Sequence, residues 1–286
     1  MNNLVVKSYA KINIALNVVR KREDGYHELD MVMLPLKLHD SLLINELKGK
    51  KDNFVIMDDY SNFASHNNIA STAIDLVDKK VNLGGRKLKI IIHKNIPMQA
   101  GMGGGSSNAV ATLKGVNQFF KLNLSRDEIL ELAKPLGSDV PFFVDNVPAR
   151  CTGRGEITTP ISIKNNYYAI IVKPDKGCST KEIYAEFTKD PDYNCCDIDK
   201  VIEALANGDD DLLAASIGNS LQKTAIKKVP EIQEIIDKLK AAGLKIVMMT
   251  GSGSAVFALS TDKKLINKTA RSLEDDYLVE VTEVLK

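Results

Sequence analysis

The sequence predicts an α+β protein of two domains, and three observations lead there. The first third alternates apolar and polar residues as strands do, the middle runs strand, glycine loop and helix, and the last part closes as an α-β-β-α-β series. With 286 residues the chain exceeds the ~100 to 200 typical of one domain, so we place a boundary near residue 160, dividing it into 1–160 and 161–286.

Residues 11–19 set Ile12, Ile14, Leu16 and Val18 on one side and Asn13, Ala15 and Asn17 on the other, the period of a half-buried strand. The turn-forming stretch 21–25 ends it. Residues 29–34, 41–46 and 54–57 read as further short strands, separated by Pro35, Asp40 and the polar segment 48–53, which suggests a mixed or antiparallel sheet. A helix follows, with Asn67 or Asn68 as N-cap and Ile69, Thr72, Ala73, Leu76 and Val77 on one face. Gly84-Gly85 closes that connection, and the β-branched apolar run 88–92 reads as a strand inside the sheet. The glycine loop comes next, with a helix from near Ser106 to about Phe120. Ser125 and Glu128 form a capping box for a helix that Pro135 stops. The loop 136–139 then leads into an apolar stretch, 140–144, expected to be a short strand.

The second domain opens with strand 167–172. Helices are expected over 198–207 and 212–220, and Pro230 starts another whose stripe is Ile232, Ile235, Ile236 and Leu239, with Gly243 as its stop. Strands 245–249 and 255–259 flank a loop at 250–254. A helix at 263–273 and a strand at 278–282 complete a unit resembling half of a ferredoxin-like sandwich.

Composition narrows the function. Lys and Arg number 38 against 37 Asp and Glu, so no global charge points to nucleic acid or an anionic membrane, and an anionic ligand must be held locally. The longest apolar runs fall far below the ~20 residues a membrane span needs. The N-terminal residues lack a signal-peptide pattern, which leads us to expect a cytoplasmic protein. Cys151, Cys178, Cys195 and Cys196 form no C-x-x-C pair and His27, His39, His66 and His93 no H-x-x-x-H spacing, so we expect reduced thiols and no structural metal.

Gly101, Gly103, Gly104 and Gly105 fall within five positions between a core strand and a helix. Glycine lets backbone N–H groups approach a ligand closely, and the following helix directs its unpaired N–H groups and positive dipole end at the same place, so the guest is a phosphate. The Ser106 and Ser107 hydroxyls are available to phosphate oxygens or a metal ion. No Gly-Lys-Ser or Gly-Lys-Thr is present, which excludes a Walker A loop, and serine at 106 breaks the Rossmann fingerprint. The H-R-D and D-F-G triplets of protein kinases are missing too.

The run Pro97-Met98-Gln99-Ala100-Gly101-Met102-Gly103-Gly104-Gly105-Ser106-Ser107-Asn108-Ala109 resembles the ATP-binding loop of the GHMP kinases, a family of small-molecule kinases. The resemblance covers nearly the whole chain. Ala10-Lys11-Ile12-Asn13 matches the family's first motif and Thr250-Gly251-Ser252-Gly253-Ser254 its third. Three stretches narrow it further: 8–13, Asp24-Gly25-Tyr26-His27-Glu28-Leu29, and Leu136-Gly137-Ser138-Asp139-Val140-Pro141-Phe142-Phe143 look like the member that phosphorylates a cytidine diphosphate derivative on the non-mevalonate route to isoprenoid precursors. Another GHMP kinase, or an inactive member serving as a sensor, is the alternative. The resemblance implies an N-terminal domain with a left-handed βαβ crossover, a C-terminal ferredoxin-like α/β sandwich, ATP with Mg2+ bound mainly through its phosphates, and a monomer or weak homodimer.

Phosphorylating an alcohol requires a proton acceptor, charge neutralisation and alignment. Asp139, in a loop before an apolar run, is the best acceptor, and the resemblance makes it the general base; alone it also suits an Asx turn. Lys11 is an odd charge in an apolar strand unless it faces solvent, and the resemblance sets it beside the aspartate to stabilise the nascent alkoxide. Tyr26 offers a face for a pyrimidine and His27 a hydrogen bond to its edge, although Tyr-His after Asp-Gly also suits a turn. By the resemblance, Tyr184 covers the other face of the base, Thr180 is a nearby polar contact, Asn13 meets the substrate's polar end, and Asn67 and Lys94 lie on the adenine side of ATP. The residues around Gly153-Arg154-Gly155-Glu156 receive no role.

Overall fold

The computed structural model describes residues 3–57, 68–187 and 196–286. Its two compact units do not follow a single cut in the sequence. One comprises Met1–Ala10, Leu38–Ile96 and Gly103–Asn146; the other comprises Lys11–Lys37, Pro97–Met102 and Val147–Lys286. The interleaving arises because two long strands, β1 (Asn3–Lys21) and β2 (His27–Leu47), contribute residues to both, and because the segment Pro97–Met102 belongs to the second unit while the residues on either side of it belong to the first. A division at residue 160 therefore remains a proposal about sequence domains.

In the first unit, β3 (Phe54–Met57), α1 (Ile69–Val81) and β4 (Lys87–His93) form a β-α-β series whose strands pair in parallel, Phe54 against Lys89 through Met57 against Ile92. On its other edge β4 runs antiparallel to β2, from Ser41 opposite His93 to Leu47 opposite Lys87. The sheet is mixed, as expected, and β4 is interior to it. Asn68 caps α1, its side chain accepting from the Ala70 N–H at 2.9 Å. The buried face of α1 is Ala70, Ala73, Ile74 and Val77, rotated about one residue from the expected stripe. It packs on α2 (Gly104–Phe120), which begins two residues earlier than the sequence suggested. At Gly115 α2 meets β2 so closely that a Cβ would stand 2.3 Å from Ile44 Cδ1. The capping box of α3 (Arg126–Ala133) forms in full, and a 3-10 turn over Lys134–Leu136 carries Pro135.

The expected strand at 140–144 is instead a short helix, α4 (Phe142–Asp145). Pro141 holds αR dihedrals just before it and Asn146 ends it in the left-handed region. Phe142, Phe143 and Val144 are all buried, and a short apolar run buried on every side carries no period to separate helix from strand.

In the second unit, β5 (Ala149–Gly153) pairs antiparallel with residues 29–33 of β2 and with β6 (Ile157–Pro160), a hairpin the sequence did not suggest. β2 is continuous where two strands were expected. Pro35 falls between the stretches of β2 that pair with β5 and β4, and its carbonyl accepts from the Leu285 N–H at 2.8 Å, so the donor that proline lacks breaks neither ladder. The expected one-sided strand at 11–19 is also buried on both faces, Lys11, Asn13 and Ala15 as fully as Ile12, Ile14 and Leu16.

The rest of this unit follows in order as β7 (Tyr168–Lys173), α5 (Thr180–Glu186), α6 (Ile198–Asn207), α7 (Asp210–Ser216), β8 (Gly218–Asn219), α8 (Gln222–Lys228), α9 (Glu231–Ala241), β9 (Ile246–Met249), β10 (Val256–Ser260), α10 (Lys263–Arg271) and β11 (Leu278–Glu283). Of these, α5, β8 and α8 were not expected, and the helix expected over 212–220 is α7, which ends at Ser216 ahead of the short strand β8. The antiparallel sheet β11-β7-β10-β9 has the strand order of a ferredoxin-like sandwich, and α9 buries the anticipated Ile232, Ile235, Ile236 and Leu239. β8 pairs in parallel with β1 at Ala15 and Leu16.

Candidate active site

Lys11 sits within β1 at 3% exposure, so the reading of it as a solvated lysine fails. Its ammonium donates to the Asn13 side-chain oxygen, and its backbone N–H donates to the Met102 carbonyl at 3.1 Å. An ammonium buried this deeply is held only where polar partners replace water. Asn13 is tied in turn: its N–H donates to Thr250 Oγ1 at 3.0 Å, and its side-chain amide reaches Met31 Sδ. The first and third motifs of the sequence therefore meet through a threonine 237 residues away.

The same threonine holds the first half of the glycine loop. Gly101 and Gly251 lie backbone against backbone: a Cβ on Gly101 would stand 2.2 Å from the Thr250 carbonyl oxygen, and one on Gly251 would stand 2.6 Å from the Gly101 oxygen. Asn219 fixes the far side, its amide donating to the carbonyls of Met249 at 2.9 Å and Gly251 at 2.8 Å. The Gln99 carbonyl accepts from Cys178 and Ser254, and Pro97, Met98 and Gln99 lie at or near the surface while Ala100 and Met102 are buried. Thr180 Oγ1 is 2.8 Å from Ser252 Oγ, which ties the start of α5 to the 250–254 loop.

In the first unit the remainder of the loop opens α2. Gly103 takes the N-cap place with φ +69, and no acidic residue occupies the first turn. A Cβ on Gly105 would meet nothing within 4 Å, so the backbone there is open to a ligand. Ser106 is half-buried, whereas the Ser107 hydroxyl is internal, 2.8 Å from Ser8 Oγ, which spends its one proton on Asn108 Oδ1 at 2.7 Å and so accepts from Ser107. Lys94 lies against this end of the helix, its Nζ 3.2 Å from where a Gly104 Cβ would be. Asp139 is half-buried on a turn closed by the Val140 N–H to the Gly137 carbonyl, just before Pro141.

Of the residues expected to hold a cytosine, His27 and Tyr184 come together, their rings 5.1 Å apart and 32° from parallel, with Phe187 edge-on to His27. Burial and the nearby Lys21 charge hold the His27 imidazole below its ordinary pKa. Tyr26 is 53% exposed at the tip of the 22–26 turn, and its ring carries the Arg154 guanidinium 5.0 Å above its centre. The sequence reading passed over Arg154. The turn at 153–156 supplies it, with Glu156 accepting from the Arg154 N–H at 2.6 Å, and the Gly-Arg-Gly-Glu spacing was the signal available. Asn67 and Cys195 lie outside the described residues. Among the described residues no group of three or more His, Cys, Asp or Glu is placed to hold a metal ion, and no helix is long and apolar enough to cross a membrane.

The family described as GHMP kinases N terminal domain matches residues 68–147, and that described as GHMP kinases C terminal matches 201–278. The chain is 39% identical over 258 residues to the 4-diphosphocytidyl-2-C-methyl-D-erythritol kinase of Geobacillus sp. (strain WCH70), covering 90% of this chain and 88% of that one. The chain belongs to the 4-diphosphocytidyl-2-C-methyl-D-erythritol kinase family of GHMP kinases. The member from Listeria monocytogenes serotype 4b (strain CLIP80459) is 37% identical, with 94% of this chain and 92% of that one covered. A crystal structure of 4-(cytidine 5'-diphospho)-2C-methyl-D-erythritol kinase superposes with a TM-score of 0.81 at 28% identity, over 99% of this chain and 100% of that one. Homoserine kinase from Cytophaga hutchinsonii shares the GHMP kinase fold, with a TM-score of 0.74 at 17% identity over 98% and 94% of the two chains. As a member of this family the chain is a kinase of the two-domain GHMP fold.

Proposed function

We propose that the chain transfers the γ-phosphoryl group of ATP to the 2-hydroxyl of 4-diphosphocytidyl-2-C-methyl-D-erythritol, a step in making isoprenoid precursors, and that it does so in the cytoplasm as a monomer or weak homodimer. The observation that carries the substrate is Tyr26, an aromatic ring left 53% exposed in a turn that a small polar residue would serve as well. The kinase names of relatives aligned over most of the chain supply its chemistry.

Asp139 accepts the proton of the substrate hydroxyl as the oxygen attacks the γ-phosphorus, and ADP departs with the electrons of the broken phosphoanhydride bond. The Lys11 ammonium stabilises negative charge on the attacking oxygen, and Asn13, bonded to it, keeps that ammonium in place and meets the substrate's polar end. The backbone from Pro97 to Ser107 holds the ATP phosphates, for which the left-handed Gly103, the open Gly105 and a helix end with no acid in its first turn are a fit. The half-buried Ser106 hydroxyl would help hold Mg2+, bound mainly through the nucleotide phosphates, and that ion would supply neutralisation of charge on the transferring group. Asn67 is assigned to the adenine side, and Tyr26, His27, Thr180 and Tyr184 to the cytidine diphosphate end.

The test is ADP release with the cytidine substrate, its uridine analogue and neither, for wild type and Asp139→Asn. We expect turnover with the cytidine compound, little with the uridine compound, and a loss of about 10²- to 10⁴-fold in Asp139→Asn with ATP binding retained. Equal kcat/KM for the two bases would sink the substrate assignment, and a near-native rate in Asp139→Asn would sink the base.

A further inference from the structure

Asp40 is a fully buried carboxylate to which neither the sequence reading nor the proposed chemistry gives a role. Its Oδ2 accepts from Lys94 Nζ, and its Oδ1 accepts the backbone N–H groups of Asn95 and Ile96, both at 2.8 Å. These three donors belong to consecutive residues immediately before the glycine loop. Asn95 is held a second time, through its side chain to the His39 carbonyl at 3.0 Å. The Lys94 side chain is itself only 9% exposed, and both its Nζ and Ile96 Cγ2 lie within 3.3 Å of the place a Gly104 Cβ would occupy.

We propose that Asp40 is a positioning residue for ATP: it sets Lys94 beside the first turn of α2 so that the ammonium faces the nucleotide's phosphates rather than its adenine. The proposal rests on the reading that the glycine loop binds those phosphates. An ammonium next to a helix N-terminus opposes the helix dipole, and a chain whose α2 has no acid in its first turn would gain by turning Lys94 elsewhere. Asp40 removes that freedom by a charge-assisted hydrogen bond, and its second oxygen fixes the backbone from which Lys94 extends. A phosphate oxygen arriving there meets the ammonium and the helix N–H groups together, with no rearrangement of either. Asp40 touches no substrate atom in this scheme and acts through Lys94.

The experiment measures thermal stability and the KM of each substrate for Asp40→Asn, Lys94→Met and the double variant, with Gly103→Val as control. Each single variant should raise the KM for ATP about 10- to 100-fold, the range of one lost charged hydrogen bond, and leave the KM for the cytidine substrate within about twofold. Asp40→Asn should also lower stability, because it strands a buried ammonium. The double variant should recover much of that stability and keep the raised KM for ATP. Recovery of both together would make Asp40 a purely structural partner and overturn the proposal. Should Asp40→Asn fail to fold, a wild-type KM for ATP in Lys94→Met overturns it equally. If Gly103→Val binds ATP normally, the phosphate-loop reading itself has failed, an outcome distinct from a normal Gly103→Val defect beside an unaffected Asp40→Asn.

Discussion

Gly101 and Gly105 stand four positions apart in one motif and are glycine for different reasons. At Gly101 the backbone adopts φ +74 and a side chain would run into the Thr250 carbonyl; at Gly105 the backbone is ordinary helix and a side chain would meet nothing. The first glycine is required by the fold, since it lets the loop at 97–102 lie on the loop at 250–254. The second is dispensable to the fold, so the reason for it lies in what approaches the helix end. A dense glycine motif thus holds both a packing requirement and a binding requirement, and only the surroundings of each residue separate them.

Substitution sharpens this contrast. Gly101→Ala should show the largest effect on stability, about 2 to 5 kcal/mol from a left-handed alanine together with overpacking, read as a lower denaturant midpoint. An unchanged midpoint would mean the two loops are not locked together. Tyr26→Ala belongs to the other class: it removes an exposed ring, so the fold should be indifferent to it, while the KM for the cytidine substrate should rise roughly 5- to 150-fold and ATP affinity barely move. A defect confined to ATP would refute the cytidine role. Gly105→Ala is the smallest change and the most diagnostic. Alanine within a helix should stabilise by about 0.5 to 1 kcal/mol, yet calorimetry should show ATP binding weakened several-fold. Gain in stability without loss of affinity would break the contrast, leaving Gly105 with no reason to be glycine.

Much of the fold is legible because its signals are local. The Ser125 capping box involves residues three apart, the α9 stripe repeats within eleven residues, and β4 announces itself by three consecutive isoleucines, Ile90 to Ile92, two positions after Leu88. The readings that failed lacked such a signal. Residues 140–144 are apolar throughout and became helix, and Pro35 reads as a break until the register shows that no ladder bond is asked of it. Among the site residues, Lys11 was conspicuous as a charge among isoleucines, whereas Arg154 and Asp40 looked like ordinary polar residues of turns.

By itself the sequence determined most of the longer elements and their order, the glycine loop ahead of its helix, and the residue types for phosphoryl transfer, because propensity, capping and periodicity act over a few neighbouring positions. Tertiary structure alone decided which of those residues meet: Asn13 with Thr250 across 237 positions, Asp40 with Lys94 across 54, Gly101 with Gly251. Hydrogen bonds and close packing act over a few ångströms of space, and which distant residues come within that reach is set by the path of the whole chain.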